Sequence, residues 1–382
     1  MLVDKEPETS DQKAFMPQVA TAANPICMNC KSFDSILKWS YMGDQDPRAK
    51  WSRVSKPVEF TRDITHPMNC FMCHDPHSSA PRVVRDALIQ AVVDRGEGTY
   101  PYDKEKSAKN PMTKVEFRDG FRAIGLLSRS DSVLMCAQCH VEYNGNPGFE
   151  PNANPDGTDK PITLAEQRTN LFQWTSVFNY NKKMREEFGN FKDFRHGITG
   201  AALSKIQHPD VETFWGSTHE REGVECADCH MPQIEKNGKT FTDHQQRSPR
   251  TMVEQTCLNC HGDMTAAQAV YQIDAIRSHT RGKVLKAEFW LAQLIDTFVR
   301  AFDAGVPRDS EPVRLARMHH DEAQTMWEWW TAETSVGFHN PQQARESLTR
   351  SVTESQAGIK ILNDAIAARK AAQVATPVAA VR

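Results

Sequence analysis

No cysteine in this 382-residue chain stands outside a pair, no stretch is apolar enough to cross a bilayer, and no block carries charge of one sign. Each absence closes off a class. The richest apolar stretch, Ala287 to Phe302, is interrupted by Glu288, Asp296 and Arg300, so no membrane-crossing helix is expected. Forty-six basic side chains against 49 acidic ones leave a formal charge of -3. They show none of the clustered Lys/Arg footprint that binding to a phosphate backbone requires, so nucleic acid is excluded as a partner. The amino-terminal string MLVDKEPETSDQKAF has no apolar segment of signal-peptide type, which leaves the compartment to be read from the cysteines. A repeat of fixed period is also missing.

What is present is ten cysteines in five C-x-x-C pairs: Cys27/Cys30 in CMNCK, Cys70/Cys73 in CFMCH, Cys136/Cys139 in CAQCH, Cys226/Cys229 in CADCH and Cys257/Cys260 in CLNCH. Histidine follows four of them directly, as His74, His140, His230 and His261. That is the haem c attachment signal. Two thiols three residues apart can form thioethers to the two vinyl groups on one porphyrin edge, and the next side chain then reaches the iron. Structural zinc would need pairs converging two by two on tetrahedral ions, which an odd number of pairs does not suit unless histidines complete a site. Disulfides closed within C-x-x-C would constrain little of the unfolded chain. Five haems also account for a chain that is only 39% hydrophobic, because each porphyrin is itself a large apolar plate. They imply an extracytoplasmic, periplasmic setting.

Histidine supply is the next test. Of 14 histidines, four follow the motifs and ten remain, at 66, 77, 196, 208, 219, 244, 279, 319, 320 and 339. A low-spin haem takes a second axial ligand, so some of the ten must be distal ligands. The first pair stands apart, with Lys31 where the others have histidine. Lysine must bind a metal as the neutral amine, so its use marks an iron unlike the other four.

With these motifs the chain resembles the pentahaem cytochrome c nitrite reductases, which reduce nitrite to ammonium, and more distantly the pentahaem core of octahaem nitrite reductases. The resemblance runs from Cys27 to about Ala344 and implies a mainly α fold with a haem-filled core and long carboxy-terminal helices. It makes the Lys31 haem catalytic and the other four bis-histidine, transferring electrons. In the CHVEY string, it implies that His140 holds its haem, that Glu142 and the Tyr143 carbonyl bind calcium, and that the Tyr143 hydroxyl faces substrate. In the K-x-Q-H string, it gives the Lys205 carbonyl and Gln207 side chain to calcium and places His208 over the catalytic iron. The implied axial pairs are His74 with His244, His230 with His339, and His261 with His219.

The resemblance further implies a six-electron reduction of nitrite, a quinol-oxidising or multihaem electron donor, a homodimer contact through the last helices, and attachment to a membrane, if any, through a partner. Two other readings stay open: an electron-transfer subunit, and the catalytic portion of a split enzyme acting on hydroxylamine or another small nitrogen compound. The family pattern also has a distal histidine and a catalytic arginine upstream of the lysine. Thirty residues precede Lys31 here, and none is histidine or arginine. Lys13 could substitute as a cation, though without the guanidinium fork. The expectation is that another chain or an upstream segment supplies both groups, in preference to His66, His77, Arg82 or Arg85.

The organisation expected is an amino-terminal arm over residues 1–26, a pentahaem-binding catalytic region over 27–278, and a helical region over 279–382. Helical character is predicted for Arg82 to Arg95 and Thr163 to Phe188, with a Gly/Asn/Pro loop from Asn144 to Pro161. Three long helices are predicted over His279–Gly305, Glu311–Thr334 and Pro341–Ala372, with Asp309 or Ser310 as a cap and an Ala/Val-rich tail that frays. Trp327, Trp329 and Trp330 read as a packing face.

Overall fold

A computed structural model describes residues 25–57, 60 and 63–375. The arm expected over 1–26, including Lys13, lies outside the described residues except for Pro25 and Ile26, as does the tail beyond Ala375. The fold is mainly α, and the chain forms two units. The first runs to Gly148 and takes in Pro161–Thr175 and Glu225–Ala227; the second holds Phe149–Lys160, Ser176–Val224 and everything from Asp228.

In the first unit, Ser32 caps helix α1 (Phe33–Lys38) by accepting the Asp34 N–H at 3.1 Å. The helix buries Phe33 and Ile36 against Met72 and Val84, each side chain contributing about 1.5–3 kcal/mol when fully covered. An antiparallel sheet follows, with β1 (Arg82–Val83) and β2 (Met112–Phe117) on either side of β3 (Arg122–Leu127). Gly125 sits in β3 where a Cβ would come within 2.6 Å of Met112 Sδ and 3.2 Å of Val83, so the close packing there requires glycine.

The helix predicted over Arg82–Arg95 is shorter than its pattern. Its start is extended as β1, and only α2 (Asp86–Ile89) is α-helical before a wider turn, Gln90–Asp94. The reason is a long-range contact: the Gln138 side-chain oxygen accepts the N–H groups of Val84 (2.7 Å) and Arg85 (3.1 Å), holding them out of a helix. The prediction over Thr163–Phe188 also needs correction. Tyr143–Asn144 (β4) pairs with Leu171–Phe172 (β5), which takes the middle of that stretch into a strand, and only α3 (Tyr180–Glu187) in the second unit is α-helical.

The second unit is built on α4 (Ala266–Asp303), α5 (Glu311–Ala332) and α6 (Pro341–Ala375). Helix α4 starts at Ala266, well before the predicted His279. A capping box between Thr265 and Gln268 begins it, and its first turns bury Ala269 and Ile273 on Cys257 and Leu258. That face is too rich in alanine to show a strong apolar period. Ser310 is the cap residue of α5, as one of the two expected, and Pro312 occupies its first turn. Leu294, Phe298 and Ala301 of α4, Val313 and Ala316 of α5, and Leu362 of α6 form one apolar cluster.

Trp329 and Trp330 are buried, donating to Thr213 (2.8 Å) and Ser347 (2.6 Å), so this pair packs as expected. Beneath the helices, Lys192 is buried with its ammonium on both Asp321 oxygens at 2.7 and 2.6 Å. The hairpin of β6 (Phe194–Arg195) and β7 (Ala202–Leu203) runs on to the K-x-Q-H string. Among the described residues, no helix is long and apolar enough to cross a membrane.

Candidate haem and substrate site

A C-x-x-C-H motif works when its sulfurs and imidazole leave the backbone on one side, which a helical turn achieves because positions i, i+3 and i+4 share a face. The chain folds its histidine motifs that way. His74, His140 and His261 donate their backbone N–H to Cys70, Cys136 and Cys257 at 2.8, 2.9 and 2.9 Å, and Cys226–His230 is itself a helix. The first motif differs. Pro25–Cys30 is a 3-10 turn, as Cys70–Met72 of CFMCH is too, but Lys31 donates only three residues back, to Met28 at 3.0 Å. None of the ten cysteines is paired in a disulfide.

In the polypeptide alone Cys260 and Cys70 are exposed and Cys27, Cys30, Cys73, Cys136, Cys139, Cys226, Cys229 and Cys257 are partly buried. The Cys257 side packs on Ala269 and Ile273 of α4, and the Cys260 N–H donates to the Cys257 carbonyl at 3.2 Å, which leaves Cys260 and His261 on the open side of their turn.

The histidines are prepared as ligands. His74, His230 and His244 turn Nδ1 to the backbone carbonyls of Ser79 (2.8 Å), Arg247 (3.2 Å) and Thr242 (2.9 Å), an arrangement that presents Nε2 for coordination. In the second unit the ring centres of His219 and His261 stand 6.3 Å apart, and those of His230 and His339 stand 6.2 Å apart. An imidazole nitrogen about 2.0 Å from a metal puts its ring centre roughly 3.1 Å away, so rings on opposite faces of one iron stand about 6.2 Å apart. The two pairs therefore fit bis-histidine haem. His74 lies in the first unit and His244 in the second.

In the first unit, the CMNCK and CHVEY strings meet. Tyr143 Oη lies 3.6 Å from Cys27 Sγ, although the residues are far apart in sequence. Strand β4 sets the tyrosine, with Phe172 opposite it, and the Gln173 amide spans Glu142 and Asn144, donating to the Glu142 carbonyl at 3.1 Å and accepting the Asn144 N–H at 3.2 Å. Burial holds the Tyr143 hydroxyl protonated far above the ordinary tyrosine range.

Gln138, inside CAQCH, joins three motifs. Besides holding Val84 and Arg85, it donates to the Met72 carbonyl of CFMCH at 3.1 Å, and its own backbone carbonyl lies 3.7 Å from Cys30 Sγ. Nothing in a motif scan marks the variable position of a C-x-x-C pair.

Of the local residues weighed against an outside contribution, His66 has an exposed ring and donates its backbone N–H to Asp34 at 2.6 Å, His77 is exposed, and Arg82 reaches Asp75 at 3.4 Å and the Phe71 carbonyl at 3.2 Å. Arg85 is different. It is buried, paired with Asp86 at 2.6 Å, and stands 5.1 Å over the Phe172 ring. Of the residues assigned to calcium, Glu142 and Tyr143 are buried in the first unit. Lys205 and Gln207 lie in the second with His208, and the Lys205 backbone is fixed by its N–H, which donates to Asp193 at 2.8 Å. All the assigned donors are oxygens, the ligand type calcium takes.

The chain matches the cytochrome c552 family over residues 1–381. It is 30% identical over 339 residues to the cytochrome c-552 of Parabacteroides distasonis, covering 87% of this chain and 56% of that protein. To the cytochrome c nitrite reductase subunit NrfA of Nitratidesulfovibrio vulgaris it is 27% identical over 361 residues, covering 89% and 60%. The chain thus spans less than two thirds of the length of these relatives. In structure it is similar to the catalytic subunit NrfA of the Desulfovibrio desulfuricans nitrite reductase, a protein with two calcium sites, at a TM-score of 0.69 and 23% identity over 96% of this chain and 71% of that one. That likeness speaks to the fold. With five attachment pairs and this family match, the chain belongs to the cytochrome c552 family and is a pentahaem cytochrome c.

Proposed function

We propose that this protein reduces nitrite to ammonium at the haem carried by Cys27 and Cys30. The observation that carries the reading is the approach of the Tyr143 hydroxyl to Cys27, which brings the CHVEY tyrosine to the lysine-bearing motif. The relatives named as nitrite reductases support the same activity. The conversion takes six electrons and eight protons per nitrite, releasing two waters with the ammonium.

The haem groups, when bound, supply the electrons and the iron position at which the nitrogen substrate is held. Lys31 offers its neutral amine on the side its motif presents. Tyr143, kept protonated by burial, donates a hydrogen bond to substrate oxygen and releases protons only when they are replaced. His208 supplies and recovers protons. His74 with His244, His230 with His339, and His219 with His261 hold three electron-transfer haems, and His140 holds the fourth. Glu142, the Tyr143 and Lys205 carbonyls and Gln207 would hold calcium, which fixes the pocket without changing redox state. A periplasmic location, a homodimer through the last helices, and a quinol-oxidising or multihaem donor complete the reading.

The test is ammonium yield from nitrite with a reduced viologen donor. Wild type should give stoichiometric ammonium, and Tyr143→Phe and His208→Ala should each lower the rate on the order of a hundredfold while five haems remain attached. Variants turning over near the wild-type rate would overturn the assigned roles. No ammonium from wild type, with rapid electron uptake, would favour the electron-transfer reading.

A further inference from the structure

The segment joining α5 to α6 carries His339, and it is wrapped around a carboxylate. Glu333, at the end of α5, is buried; its Oε1 accepts the Ser335 N–H at 2.8 Å and its Oε2 the Gly337 N–H at 3.0 Å. Gly337 has φ +80° and packs where a Cβ would meet Thr280 Cγ2 at 2.7 Å, so the turn tolerates little else. Ser335 Oγ then accepts the His339 N–H at 2.9 Å, and Asp210 fixes the neighbouring Thr334 through its N–H and hydroxyl, both at 2.8 Å. The result is a rigid loop whose ring nitrogen, His339 Nδ1, lies 3.0 Å from Glu333 Oε1 and 4.0 Å from Asp210 Oδ1. His74, His230 and His244 face neutral carbonyls instead.

We propose that Glu333 is a positioning residue that lowers the reduction potential of the haem held between His230 and His339. This rests on the reading of those two histidines as one axial pair. Oxidised iron carries one more positive charge than reduced iron, and a carboxylate fixed beside an axial imidazole stabilises that charge and makes the imidazole a stronger donor. Burial strengthens the effect, because little water intervenes to screen it. The carboxylate is held by two backbone N–H groups, so its place does not depend on the ring it acts upon.

The experiment is a spectropotentiometric titration of the holoprotein, with low-spin haem followed by electron paramagnetic resonance, for wild type, Glu333→Gln, Ser335→Ala and His339→Ala. Glu333→Gln should shift one of the five components to more positive potential while every low-spin signal is kept. Ser335→Ala loosens the same loop without removing the charge, and should leave that component in place. If Glu333→Gln shifts nothing, if it abolishes a low-spin signal, or if Ser335→Ala shifts the component equally, the loop or some other group sets the potential and the inference is overturned. His339→Ala separates the two claims: it should remove one bis-histidine signal, and if it leaves all of them unchanged the axial assignment itself fails.

Discussion

Replacing Gln138 by leucine tests whether one side chain holds the first three haem motifs in register. The amide sits inside CAQCH, takes two backbone N–H groups at 2.7 and 3.1 Å, and gives its own N–H to the Met72 carbonyl. It is 3% exposed, so no water replaces what leucine removes. Each buried donor left without an acceptor costs about 1–3 kcal/mol, which puts the loss of the Val84 and Arg85 contacts at about 2–6 kcal/mol. Leucine nearly conserves volume, so the cavity contribution is small. Gln138→Glu keeps an acceptor for both N–H groups and loses the donations to the Met72 and Met135 carbonyls. The expected order of stability is wild type, then Gln138→Glu, then Gln138→Leu, read as guanidinium midpoints at equal slope on protein with five haems attached. A leucine variant as stable as the glutamate variant would refute the assignment of that energy to the two N–H groups.

Two further perturbations follow from buried charge. Lys192→Met strands the Asp321 carboxylate in the second unit and should cost about 3–5 kcal/mol at neutral pH, whereas Lys192→Met combined with Asp321→Leu should recover most of it; denaturant unfolding of both variants checks the cycle, and an additive result would reject the pairing. Asp34 is buried, which opposes ionisation, yet the Lys38 ammonium at 2.8 Å and the His66 and Thr65 N–H groups at 2.6 and 2.7 Å hold its carboxyl well below the usual carboxylate range. Its folded value being the lower one, the stabilisation is complete above the unfolded value of about 3.9 and is lost as pH falls towards the folded value. Asp34→Asn should therefore unfold more easily at pH 7 and show a flatter acid limb, and parallel stability curves for the two proteins across the acid range would contradict this.

What could be read from the sequence was whatever depends on covalent spacing. The five C-x-x-C pairs, the odd Lys31 and the histidine that follows each of the others are local patterns, and their i, i+3, i+4 geometry appears in the structure as helical turns. The long helices could be read as elements because their periodicity survives over many turns, although the start of α4 could not, since alanines face the Cys257 turn there. Arg82–Arg95 and Thr163–Phe188 failed for one shared reason. Long-range hydrogen bonds, from Gln138 in one case and from the strand carrying Tyr143 in the other, outweigh local helical propensity.

The same contrast explains which site residues a motif scan can find. A ligand must be histidine, cysteine or lysine, so its type announces it, whereas the groups that aim a ligand need only offer an oxygen or an N–H at the right place. Glu333 ends a helix and Asp210 begins a short one, and neither has a signature, yet between them they fix the loop that carries His339. Gln173 does the corresponding work for the strand of Glu142 and Tyr143, and Gln138 for the CAQCH turn. In both units the side chains that could meet iron are held by neutral amides or carboxylates bonded to backbone, which place ligands without competing for the metal. Substitutions in that supporting set should therefore leave haem attachment intact and alter instead the potentials and ligand geometry, properties that absorbance counts of bound haem do not register.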